Sequence, residues 1–77
     1  MSSSDSPHYA YHVEWSPEDG EYVATSVEFG PALSHLDLDP VEAMRGIVDL
    51  VAWAVGDLRA NGEPIPQPIA DRAGLAP

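Results

Sequence analysis

Tyr9, Tyr11, Val13 and Trp15 alternate with His8, Ala10, His12 and Glu14, the period of two of a strand that buries one face. This predicts a first strand over residues 8–15. The turn formers Ser16-Pro17-Glu18-Asp19-Gly20 follow, with Gly20 able to take positive φ, and Glu21 to Val27 resumes an alternating, β-branched pattern. A hairpin is expected. Pairing Val13 with Val23 sets Tyr11 opposite Thr25 and Tyr9 opposite Val27, which collects the large apolar side chains on one sheet face. Gly30-Pro31 breaks the second strand, and Ala32 to Leu36 suffices for a short third strand at a sheet edge.

Asp39-Pro40-Val41-Glu42 is the strongest local signal, combining an N-cap acceptor, proline at the first helical position and an acid three residues after the cap. The helix it opens is expected to run to Arg59 or Ala60 and stop at Asn61-Gly62, about 20 residues and 30 Å long. On a helical wheel Ala43, Met44, Ile47, Val48, Leu50, Val51, Ala54, Val55 and Leu58 fill an arc of about 160°, wide enough to cover a sheet. Trp53 falls outside that arc among Glu42, Asp49 and Asp57, with Gly46 and Gly56 one or two turns away. Two roles suit it: folding down over the helix edge, or anchoring an oligomer interface that the flanking glycines let come close. Pro64, Pro66, Pro68 and Pro77 favour extended geometry after the helix and exclude a second long one.

The fold class is therefore α+β: a three-stranded antiparallel sheet packed by one long helix, in the order β-β-β-α, with room for a short extended segment afterwards. Residues 1–7, Ser-rich with one Asp, are expected to be a disordered tail, 8–69 the domain, and 70–77 a short tail too small for a DNA-binding element. At 77 residues the chain is near the lower limit for a self-sufficient core, and with no cysteine it has neither disulfides nor thiolate metal sites to stabilise it. A second subunit is the expected substitute, as an isologous homodimer through the Trp53, Gly46 and Gly56 face or through the open edge of the third strand.

Thirteen acidic residues against three Arg and no Lys leave a formal charge of -10, which repels phosphate backbones and anionic membranes and favours basic proteins. Direct nucleic-acid and membrane binding are disfavoured. The absence of a signal-peptide pattern and of any bilayer-length apolar run predicts a cytoplasmic protein, and the composition suits a high-GC bacterial genome. No catalytic constellation emerges, so the chain reads as a non-enzyme without cofactor or metal. His8 and His12, four apart on a strand, lie about 13 Å from each other, too far to share an ion. His35 beside Asp37 and Asp39 has no nucleophile or phosphate loop to serve and reads as a loop or edge-strand residue. The acids Glu14, Glu18, Asp19, Glu21 and Glu28 crowd the hairpin and its flanks, and Glu18, Asp19, Glu21 and Glu28 are the candidate contacts for a basic partner.

The segments Tyr11-His12-Val13-Glu14-Trp15-Ser16-Pro17-Glu18-Asp19-Gly20-Glu21-Tyr22-Val23-Ala24, Glu28-Phe29-Gly30-Pro31-Ala32-Leu33-Ser34, Asp39-Pro40-Val41-Glu42-Ala43 and Gly62-Glu63-Pro64-Ile65-Pro66, in this order, resemble the amino-terminal domain of HicB-family antitoxins over residues 9–69. The resemblance implies a degraded RNase H-like fold that lacks the acidic metal cluster of true RNase H. It further implies a partner of the HicA type, a small basic ribonuclease whose active surface the antitoxin masks. The repressor function that many members carry in a carboxy-terminal DNA-binding element is not implied here, because only residues 70–77 follow Ile69. The alternative is a stand-alone homo-oligomeric scaffold or regulatory protein of the same fold with no toxin.

Overall fold

A computed structural model describes residues 7–74, with backbone only for 72–74. The expected tails therefore lie outside the described residues at 1–6 and 75–77. The elements are β1 (Tyr11–Ser16), β2 (Glu21–Ser26), β3 (Gly30–Asp37), α1 (Pro40–Ala60) and α2 (Ile69–Gly74). The three strands form one antiparallel sheet in the order β1-β2-β3, and the long helix α1 packs across it, which is the expected α+β arrangement.

The hairpin register differs by one residue from the alternation-based pairing. Ser16 pairs with Glu21 across the turn, so Val13 lies opposite Ala24 and Tyr11 opposite Ser26. The turn sets this: Gly20, at φ 66°, donates its N–H to the Ser16 carbonyl at 2.8 Å and closes the loop over 17–20. A one-residue slip exchanges the faces of a strand. Ala24 and Ser26, rather than Val23, Thr25 and Val27, therefore face the helix, and both are buried. Small side chains on the central strand let α1 approach closely, and the row Ala43, Ile47, Val51 and Val55 at i+4 spacing fills that contact. Val48, placed in the core arc by the wheel, sits at its margin and is 39% exposed.

β1 begins later than expected because Ala10 donates its N–H to the Glu28 carboxylate, at 3.0 and 3.2 Å, instead of to a β2 carbonyl. β3 is longer than the expected Ala32–Leu36. Gly30, at φ 65°, reverses the chain through 27–29 and re-enters pairing at once, opposite Ser26, with a register irregularity at Thr25/Ser26.

The α1 boundaries follow the sequence signals closely. Asp39 Oδ1 accepts the Val41 N–H at 2.8 Å, with Pro40 at the first position. The reciprocal half of a capping box is absent: the Asp39 N–H goes to Asp37 Oδ1 at 3.0 Å, and Glu42 turns to Arg45 at 3.4 Å. At the far end Gly62, at φ 71°, donates to the Arg59 carbonyl at 3.1 Å and Glu63 donates to the Leu58 carbonyl at 2.8 Å, the Schellman pattern. The chain then returns over the domain as a strap. Ile65 joins the core, Pro68 is buried and the Tyr9 hydroxyl donates to the Pro66 carbonyl at 2.7 Å. Ile69–Gly74 then form the short helix α2, so part of the short tail expected over 70–77 is helical.

Gly46 is a further correction. It faces β3, and a Cβ there would run into the His35 ring, so the missing side chain is what lets that ring lie on the helix. Gly56 opens onto free space. Gly46→Ala is expected to destabilise the fold although alanine is the better helix former, whereas Gly56→Ala is expected to stabilise it by about 0.5–1 kcal/mol. Urea unfolding checks both, and in a His35→Ala background the Gly46→Ala change is expected to become stabilising as well.

Candidate protein-binding surfaces

Three separate surfaces carry the residues singled out in the sequence. The first is the hairpin turn. The Ser16 hydroxyl donates to Asp19 Oδ2 at 2.9 Å and accepts the Asp19 N–H at 3.3 Å, which fixes the loop backbone and turns Glu18 and Asp19 into solvent. Glu21 opens β2 beside them. Three carboxylates thus share one end of the sheet. Among the described residues none of them has a cationic partner within ion-pair distance, so their field projects outward.

Glu28 does not join this group. It lies beyond the other end of β2, about 20 Å away at some 3.3 Å per residue. Its carboxylate accepts from Ala10 N–H and from Ile69 N–H at 2.8 Å, with the Ser26 hydroxyl at 3.5 Å. The group assigned by sequence to a partner is therefore the internal clamp that joins the amino-terminal segment, the β2 end and the start of α2. Burial pushes its pKa up, but the N–H donors of Ile69, Ala10 and Glu28 itself, with the Ser26 hydroxyl, outweigh burial and hold the carboxyl below its ordinary value.

The second surface is the outer face of α1. Trp53 does not fold down over the helix edge; it is 67% exposed among the exposed Asp49, Asp57 and Glu42. The two glycines expected to flank it in one interface are drawn elsewhere, Gly46 beneath His35 on the β3 side and Gly56 into a groove on the β1 side. At 100° per residue they lie on either side of Trp53, a geometry that the wheel contains but whose covering only the packing decides.

The third surface is that groove, which sequence reading did not find. It encloses about 590 Å³ between α1 and the amino-terminal flank of β1. Tyr9, Tyr11, Val48, Val51, Val55 and Arg59 form most of its wall, and no carboxylate lines it. Burial raises the Tyr9 and Tyr11 phenols above the usual tyrosine range, and the Glu28 charge adds to this in both, so both remain protonated at neutral pH. The Arg59 guanidinium acts on Tyr9 in the opposite direction and has no ion-pair partner among the described residues. His8 lies in the groove wall outside β1, and His12, on the opposite sheet face, holds Glu14 Oε1 at 3.0 Å. His35 sits on β3, an edge strand.

Among the described residues no three His, Asp or Glu side chains converge on a point that would hold a metal ion, and no helix is long and apolar enough to cross a membrane. Compared with models of known protein families, with curated proteins and with solved structures, the chain matches none.

The Glu28 clamp carries a pH signature. Its folded pKa is depressed, so the stability it contributes is present above the unfolded carboxylate value and is lost as pH falls through the folded value. Glu28→Gln is expected to cost roughly 1–2 kcal/mol at pH 7 by weakening two charge-assisted N–H contacts, and the difference from wild type is expected to close as pH falls through the depressed folded value. Denaturant titrations of both proteins between pH 7 and pH 3 measure it.

Proposed function

We propose that this domain is an antitoxin-type protein-binding module of the HicB kind, which uses its acidic hairpin turn to engage a small basic ribonuclease of the HicA type and mask its active surface. The observation that carries the reading is the cluster of exposed Glu18 and Asp19 with half-buried Glu21, held at a turn that Ser16 and Asp19 stiffen, in a chain of formal charge -10. The β-β-β-α order agrees with the fold that the sequence resemblance implies. No cofactor, metal or catalytic step enters this reading, and its setting is the cytoplasm. A second reading, a stand-alone homo-oligomeric scaffold or regulatory protein, draws support from the large apolar side chains left in solvent, Trp53 foremost.

A pull-down of the tagged domain from its native host separates the two readings: co-purification of a small basic ribonuclease supports the first, and recovery of nothing but copies of the chain overturns it. With that ribonuclease in hand, reversing the charges at Glu18, Asp19 and Glu21 is expected to lower the association rate about tenfold or more at low salt and to change dissociation little. Wild-type association is expected to slow as salt rises from about 0.01 to 0.15 M, where the Debye length falls from about 30 to 8 Å. Stopped-flow kinetics read both effects.

A further inference from the structure

We propose that the β1 edge is a self-recognition surface, where two copies join antiparallel about a two-fold axis at Val13 so that one sheet runs through both. The inference goes beyond the antitoxin reading and does not depend on it.

The argument starts from backbone accounting. Among the described residues β1 pairs with β2 alone, which leaves its other side a free edge. The Val27 N–H meets the Ala10 carbonyl at 2.9 Å, which places Ala10, and by antiparallel alternation His12 and Glu14, with backbone groups turned to β2. The N–H and C=O groups of Tyr11, Val13 and Trp15 therefore point outward. No proline interrupts β1, whereas β3, the other edge, carries Pro31 beside the Gly30 irregularity. Natural edges are usually blunted by proline, charge or cover; β1 has no proline, and its one charged side chain, Glu14, is met by His12 at 3.0 Å.

The side chains then select the occupant. Tyr11-His12-Val13-Glu14-Trp15 is chemically palindromic about Val13. In a two-fold pairing centred there, Tyr11 meets Trp15 of the second copy on the helix side of the sheet, and His12 meets its Glu14 on the outer side. These are an aromatic pair and a pair of complementary polarity, both favourable directly across strands. Within one chain His12 and Glu14 are already 3.0 Å apart, so the dimer brings two such pairs together. Trp15 is 49% exposed despite its edge-on contact with Tyr22, and it gains cover in this arrangement. About six backbone hydrogen bonds form across the junction.

Charge points to the same place. A chain of formal charge -10 repels its own copy, and the groove beside β1 adds nothing to that repulsion, since no carboxylate lines it and Arg59 does. Val48, Ala52 and Gly56, spaced i, i+4 and i+8 along α1, line that groove and would face their counterparts over the joined strands. Among the described residues only six hydrophobic side chains are buried, and the second copy would cover two of the exposed ones, Trp15 on β1 and Val48 in the groove.

Sedimentation equilibrium and amide exchange test the proposal. The wild type is expected at twice the 8.2 kDa of one chain at about 50 μM, more completely so as salt screens the copies from each other, which is the opposite sign to the steering of a basic partner. Val13→Pro removes a donor that no contact among the described residues uses, and it is expected to give a monomer with unchanged far-UV circular dichroism. Trp53→Ala is expected to leave the assembly intact. Independently of any variant, the wild-type amides of Tyr11, Val13 and Trp15 are expected to be protected at least tenfold more at 200 μM than at 2 μM. A wild-type monomer at 200 μM, a dimer that survives Val13→Pro, or concentration-independent exchange at those three amides overturns the proposal. So does protection that arises only on adding a basic protein or an anionic amphiphile such as dodecanoate, outcomes that would give the edge or the groove to another occupant.

Discussion

One helix has to cover three strands, and the rest of the structure follows from how it does so. A helix with its side chains is about 10 Å across, whereas three strands at about 4.8 Å spacing, with their own side chains, present a wider face. α1 packs most extensively against β3 and β2 and least against β1. The central strand meets it with Ala24 and Ser26, so the approach is close, and the fully covered part of the core is narrow: Ala43, Ile47, Val51 and Val55 against those two positions, with Tyr9 closing one end. The uncovered width becomes the groove beside β1.

Because the core is a single layer, its ends need closing by something other than helix. The carboxy-terminal strap does this on one side, inserting Ile65 and Pro68 and accepting the Tyr9 hydroxyl at Pro66. Tyr9 in turn packs edge-on against Phe29 at 5.3 Å, so the strap, the amino-terminal segment and the turn between β2 and β3 meet in one place. Glu28 stands at that junction and accepts N–H groups from residues 18 before and 41 after it in sequence. A charged acceptor suits the position better than a neutral one, because orphan N–H groups converge on it from the irregular start of β1 and from the first turn of a helix too short to organise its own end.

The same geometry divides the surface into regions of different character. Among the described residues the hairpin turn gathers acids that no cation pairs, the α1 outer face presents Trp53 among carboxylates, and the β1 side presents apolar side chains, a strand edge and the Arg59 guanidinium without an ion-pair partner. Steering of a basic protein and association of like-charged copies have opposite requirements for charge. The two proposed contacts therefore fall on different parts of the surface, the acidic turn for one and the carboxylate-free groove beside β1 for the other.

The sequence by itself determined the elements whose signals are local. Alternation marked the strands, Asp39-Pro40 and Asn61-Gly62 bounded α1 within a residue, and the i, i+4 row of small and branched residues identified its buried face. Composition and charge located the acidic turn. Register was lost to sequence reading because the second strand is apolar at both parities, Tyr22 and Ala24 on one and Val23 and Val27 on the other, so its alternation does not choose a face. The hydrogen bonding of the Ser16 to Gly20 turn breaks that tie by bringing Ala24 and Ser26 beneath the helix. Glu28 read as one more surface acid because nothing within a few residues reveals that Ala10 and Ile69 bring N–H groups to it. Gly46 and Gly56, alike in sequence and both near Trp53, differ only in what lies above them, the His35 ring over one and solvent over the other. Local propensity acts through neighbours along the chain, whereas cover, register and the commitment of a charge depend on which distant segments fold against it, and only the tertiary structure decides those.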